Sequence, residues 1–224
     1  MNDKSTFAEF EIILLLTAFA AGTVDVIGFA TLGGVFASAM TGNFALLAYY
    51  VAQGRVASAM GSVVALSGFV LGCALGVLQR RRRAPGQALG LLLTTETGLL
   101  LCFAVYALWI PHAPHTPSMH LQILLLAVAM GVQAVIGQTV SLTTIVFTMT
   151  LTKLVATLAN SLAYGDSLGL KEVKLQSAVV VAYLFGALLA GALVVHKAEG
   201  VVMLPFLAVG LAFAFHRWGG RLRP

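Results

Sequence analysis

The chain has 224 residues, of which 59% are hydrophobic and 9% charged. A soluble globular protein carries about 25% charged residues, so this surface is not one that water solvates. The formal charge of +5 is spread over short loops and tails rather than gathered on a folded face, which excludes a nucleic-acid interface and leaves the basic residues as topology signals.

The first apolar run, Ile12 to Phe29, has a signal-peptide-like core from Leu14 to Ala20. Asp3, Glu9 and Glu11 outweigh Lys4 where a signal would be positive, and the run continues through Val26, Ile27 and Phe29, so the segment is read as retained. Further runs follow at Leu32 to Val51, Ala57 to Leu78, Leu89 to Ile110, Leu121 to Thr139, Leu142 to Tyr164, Leu175 to Val195 and Val201 to Phe215. Crossing a hydrocarbon core of roughly 30 Å takes about 20 residues.

The basic residues decide which runs cross, because cytoplasmic loops collect Lys and Arg. If all eight cross, five such residues lie inside and seven outside. If 32–51 and 142–164 each return to the side they left, Lys4, Arg80 to Arg83, Lys171, Lys174, Arg217, Arg221 and Arg223 lie inside, and Arg55 and Lys197 outside, ten against two. The expected fold is therefore an all-α integral membrane protein of six spans and two broken or re-entrant segments, with both termini cytoplasmic.

Compared with itself at a shift of 109 residues, the chain repeats. GTVDVIG is answered by GVQAVIG, and Met40–Thr41 by Met149–Thr150. With a loop five residues longer, Gly68, Gly72 and Gly76 align with Ala182, Gly186 and Ala190, two small-xxx-small faces that permit close helix packing and a homo-oligomer. The single membrane domain, 1–224, is thus read as repeat 1 (12–110) and repeat 2 (121–216). Three crossings per repeat make the second inverted relative to the first, a plan shared by many transporters.

Ionisable groups at membrane depth cost at least about 2.5 kcal/mol on insertion scales and mark cavities or partners. Asp25 and Glu96 are the coupling candidates, and Lys153 a counter-charge to Asp25 or an anion ligand. The broken segments add Ser38, Thr41, Gly42 and Asn43 in one and Thr143, Thr144, Thr148, Thr150 and Thr152 in the other; irregular backbone at this depth must be buried or line a cavity. Gln133 completes the set. The candidate substrate contacts are Asp25, Thr41, Asn43, Gln133, Thr148, Thr150 and Lys153. Plainer readings are threonines capping freed backbone and an amide acting as interhelical glue.

Cys73 and Cys102 sit inside apolar runs, and the His112, His115 and His120 loop lacks a zinc spacing, so neither a metal nor a cofactor is expected. No Gly-rich phosphate loop, nucleophile elbow, HExxH or CxxC occurs, so no catalytic residues are assigned and an enzyme is not expected.

Gly22 with Asp25, followed by Met40 to Asn43 (Met-Thr-Gly-Asn), resembles the YoaK-like bacterial inner-membrane proteins, a domain-of-unknown-function group. The likeness extends over most of the chain. It includes Gly131 and Gln133, and a Thr-Gly-Thr-Leu-like element that here reads Thr148 to Leu151, with Met149 in place of the glycine. The resemblance implies a bacterial inner-membrane protein of about six spans, with no substrate attached. The residues themselves point to a small secondary transporter or channel for a polar or anionic solute, with proton coupling through Asp25. The rival is a scaffolding membrane protein without transport. Expected partners are the lipid bilayer and a small solute or ion, not nucleic acid.

Overall fold

The computed structural model describes residues 3–110, 113–139, 147–164 and 167–221. Its helices are α1 (Asp3–Thr31), α2 (Met40–Ala52), α3 (Val56–Arg80), α4 (Pro85–Trp109), α5 (Pro117–Thr139), α6 (Phe147–Tyr164), α7 (Ser167–Val195) and α8 (Leu204–Arg221), with a 3-10 turn at Glu199–Met203 before α8. Six of the described helical stretches are long and apolar enough to cross a membrane: Glu9–Thr31, Val56–Arg80, Pro85–Trp109, Pro117–Gln138, Val173–Val195 and Glu199–Gly219. These are the six runs whose crossing the basic residues favoured. The other two hold the 13-residue α2 and the 18-residue α6.

Local chemistry explains the breaks. Pro85 opens α4 at a position where its missing N–H costs nothing. Past α1, Gly33 and Gly34 take φ of 80° and 79°, which side chains beyond glycine rarely adopt, and the chain turns back along the helix it has just left. Gly54 closes α2 with φ 70°, the Gly54 and Arg55 N–H groups bonding to the carbonyls of Val51 and Tyr50. Between the runs 142–164 and 175–195, helix begins at Ser167, so most of the connection that separates them in sequence is already α7.

Contacts along the helices give their directions. Val179 packs on Leu14 and Ala18, while Gly191 lies near Val26, so α1 and α7 run the same way. Glu9 meets His216 and Gly219, so α8 runs against α1. Met119 lies at Gly33 and Gln133 at Thr17, so α5 also runs against α1. Gly61 lies near Ile123 and Gly76 near Val135, which sets α3 parallel to α5. Hence α3 starts at the end of the bundle where α1 finishes, and α7 starts where α5 finishes, so α2 and α6 each return to the end they came from. Arg80 to Arg83, Lys174 and Arg217 fall at one end, and Arg55 and Lys197 at the other.

The tightest crossings are α3 on α5 and α1 on α7, and they come in matching pairs. A Cβ on Gly72 would fall on the Val128 carbonyl and one on Gly186 on that of Phe19; one on Gly131 would fall on the Phe69 carbonyl and one on Gly22 on that of Tyr183. The shift of 109 residues carries Phe19 and Gly22 to Val128 and Gly131, and a shift of 114 carries Phe69 and Gly72 to Tyr183 and Gly186. The small-xxx-small faces of α3 and α7 pack inside the chain, with Gly68, Gly72 and Gly76 against α5 and Gly186 against α1.

Candidate functional site

Asp25 lies three quarters of the way along α1, 3% exposed. The turn at Gly33 and Gly34 brings the chain back until Val35 passes Gly28 and Ser38 reaches Asp25. A side chain at position 28 would strike the Val35 carbonyl, so glycine there is what lets the returning strand lie against the helix. One carboxylate oxygen of Asp25 accepts the Ser38 backbone N–H at 2.8 Å; the other accepts the Ser38 hydroxyl at 2.6 Å and the Tyr183 hydroxyl, from α7, at 2.9 Å. A backbone donor freed by the break thus finds a buried acceptor, as its burial requires.

Asn43, on α2, is fully buried and clasps the same returning strand. Its Oδ1 accepts the Phe36 N–H at 3.0 Å, and its Nδ2 donates to the Phe36 carbonyl at 2.6 Å. Phe36 also stacks on Phe29 of α1, with ring centroids 5.2 Å apart. The expected substrate contact at Asn43 is therefore already filled by the backbone of one residue, because its side-chain amide matches both the N–H and the carbonyl of Phe36 that the break leaves unpaired. Thr41, two residues before Asn43 at the start of α2, is exposed.

Gln133, on α5, is buried, and its Nε2 donates to the Thr17 carbonyl of α1 at 3.0 Å, a bond across 116 residues of sequence. Thr150 is buried on α6. Lys153, on the same helix, is exposed, and among the described residues no ion pair joins it to Asp25, so the counter-charge reading lacks a contact here. Thr148 lies in α6, but its side chain is outside the described residues, as are Thr143 and Thr144 altogether. Glu96 is fully buried on α4, away from the Asp25 cluster, and neither carboxyl oxygen has a hydrogen-bond partner among the described residues.

Two participants escape a reading of the sequence. Tyr183 is a lone aromatic hydroxyl in an apolar run, 158 residues from the carboxylate it bonds; only its alignment with Phe69, where the other half has no hydroxyl, sets it apart. His216 and Glu9, at the Arg-rich end, form the second: Nδ1 lies 3.1 Å from Glu9 and Nε2 3.0 Å from the Gly86 carbonyl. Each ring nitrogen thus faces an oxygen, one of a carboxyl group on α1 and one of a backbone carbonyl on α4.

What the Asp25 arrangement can do chemically follows from its donors. An ionised carboxylate accepts all three bonds and strengthens each. A proton on the oxygen facing the two hydroxyls turns that oxygen into a donor, so at least one hydroxyl must reverse its role and the charge assistance is lost. The contact between the broken segment and α7 therefore depends on whether Asp25 holds a proton.

A family model described as a protein of unknown function, DUF1275, matches residues 13–215. The chain is 28% identical over 185 residues to the UPF0700 transmembrane protein YoaK of Bacillus subtilis (strain 168), covering 79% of this chain and 80% of that protein. No solved structure matches. The broken segment after α1 and the six apolar spans are thus the architecture of a multi-pass membrane protein that belongs to the DUF1275 family.

Proposed function

We propose that this chain is a small secondary transporter or channel of the bacterial inner membrane, built from inverted repeats over 12–110 and 121–216, with proton coupling at Asp25. The observation that carries the reading is that one buried carboxylate ties the broken segment of the first repeat, at Ser38, to a helix of the second, at Tyr183. Alternating access requires one repeat to move against the other. A titratable bond across that seam gives the motion a proton dependence.

The paired glycine crossings support the repeat assignment, because these contacts between the halves come in pairs in which the two halves exchange roles. The division of basic residues supports cytoplasmic termini and a cytoplasmic Arg80 to Arg83 loop. In this reading Asn43 and Gln133 hold the frame, and Thr41, Thr148, Thr150 and Lys153 meet a polar or anionic solute once the seam opens. The 3% exposure of Asp25 corresponds to a closed state. No catalytic chemistry is assigned to the site.

The test is reconstitution into liposomes carrying an internal pH dye, with imposed pH gradients and pools of polar and anionic solutes outside. A solute-dependent proton flux is expected, and Asp25→Asn abolishes it while leaving insertion and folding intact. The close crossings also suit a static scaffold, and that rival predicts no flux of any solute or ion under any gradient.

A further inference from the structure

At the Arg-rich end of the bundle, the first turns of α4 and the last turns of α8 leave a groove of about 690 Å³. Gly86 and Gly90 open it on the α4 side, since neither carries a side chain there. Its walls include Leu91 and Phe213, and its polar groups include His216 and Arg217. Among the described residues, no acidic side chain lines it. Glu9, the acid beside it, is engaged by His216. Arg217 is exposed, and its guanidinium carbon lies 5.9 Å from the centroid of the Phe213 ring, which steadies the cation beside the groove. Ala84, on the groove's lip, follows directly on the run from Arg80 to Arg83, of which Arg81, Arg82 and Arg83 are exposed.

We propose that this groove holds the phosphate of an anionic phospholipid, with Arg217 as its cationic ligand and Leu91 and Phe213 against the start of an acyl chain. Charge selects the occupant. A cavity with cations at its lip, apolar walls below and no acid facing it matches a molecule that is anionic at its head and apolar behind it. A neutral zwitterionic lipid would bring an ammonium group into the same basic surroundings. The Arg80 to Arg83 run raises the local concentration of anionic lipid, and the groove selects one molecule from it. The site would tie α4 to α8 at the end where Glu9 and His216 already join α1 to α8, and it does not depend on the transport reading.

The test uses the purified full chain in neutral detergent with dioctanoyl phosphatidylglycerol, dioctanoyl phosphatidylcholine or inorganic phosphate, read by native mass spectrometry and thermal unfolding. Phosphatidylglycerol is expected to bind saturably and raise the unfolding temperature; the other two are not, at matched concentration. Arg217→Gln should weaken binding roughly five-fold, the share of one basic residue near a lipid surface. Gly86→Phe, at a position where an added Cβ meets nothing within 4 Å, should push a ring into the groove and abolish binding. Lys197→Gln, at the opposite end, should leave it unchanged. Should Arg217→Gln fail to fold, Gly86→Phe decides. Equal binding of phosphatidylcholine, or wild-type phosphatidylglycerol binding by both groove variants, overturns the proposal. Stabilisation by inorganic phosphate equal to that by phosphatidylglycerol identifies a free-anion site and also overturns it.

Discussion

Replacing Asp25 by alanine strips the acceptor from three donors at once: the Ser38 N–H at 2.8 Å, the Ser38 hydroxyl at 2.6 Å and the Tyr183 hydroxyl at 2.9 Å. Each buried donor left without a partner costs about 1–3 kcal/mol, and the two hydroxyls can rotate toward other acceptors whereas the backbone N–H cannot. The N–H sets the floor. Allowing for partial recovery by the hydroxyls, the expected loss is about 3–5 kcal/mol. At this chain length that corresponds to a fall of roughly 10 °C in unfolding temperature. Asp25→Asn keeps the shape and one carbonyl acceptor for the N–H, with hydroxyls that can accept from its amide, so its loss should be less than half as large. Tyr183→Phe removes a single donor to a charged acceptor, for about 1.5–3 kcal/mol. In the Asp25→Ala background that bond no longer exists, so adding Tyr183→Phe should cost under about 0.5 kcal/mol, a strong departure from additivity. The assay is thermal unfolding of the four proteins in one detergent. Asp25→Ala within 1 or 2 °C (roughly the scale of half a kcal/mol) of the native protein, or strict additivity of the pair, would refute the reasoning.

Alanine at Gly22, Gly72, Gly131 or Gly186 puts a Cβ on a carbonyl of the facing helix; each should cost about 1–3 kcal/mol, measured by unfolding, whereas Gly98→Ala, with nothing within 4 Å, should be neutral or stabilising by up to about 1 kcal/mol. Asn43→Ala leaves both polar groups of Phe36 unpaired and should destabilise by about 2 kcal/mol, and a cysteine at Phe36 should then label with a maleimide faster than in the native background. Gln133→Leu leaves the Thr17 carbonyl with its own helix bond to accept, so a loss below about 1.5 kcal/mol is expected.

The six spans were legible because apolar length is a one-dimensional property, and the two short helices were recognised because Lys and Arg between the runs record which end each connection occupies. The break after α1 followed from that same count of basic residues, and the depth of Asp25 pointed to a cavity or a partner. Pairings made by the third dimension were hidden. Nothing near Tyr183 in sequence indicates that its hydroxyl meets a carboxylate on α1, and nothing near His216 points to Glu9. Asn43 shows a different kind of misreading, since a polar side chain at a helix break suits a ligand and freed backbone groups equally well, and here the N–H and carbonyl of Phe36 take it. The small-xxx-small faces were correctly seen as places of close approach, but a stripe of glycines does not state whether its partner is another chain or another helix of the same one.

The most direct test of the inverted arrangement on which the proposed site rests is sidedness at two positions, Gln53 between α2 and α3 and Lys174 at the start of the span in α7. Each is replaced singly by cysteine in a background lacking Cys73 and Cys102, and whole and lysed cells are labelled with an impermeant maleimide. Cysteine at 53 is expected to label in intact cells, and cysteine at 174 only after lysis. Labelling of both from the same side would mean that 142–164 crosses the membrane, and the two halves would no longer match each other as inverted repeats.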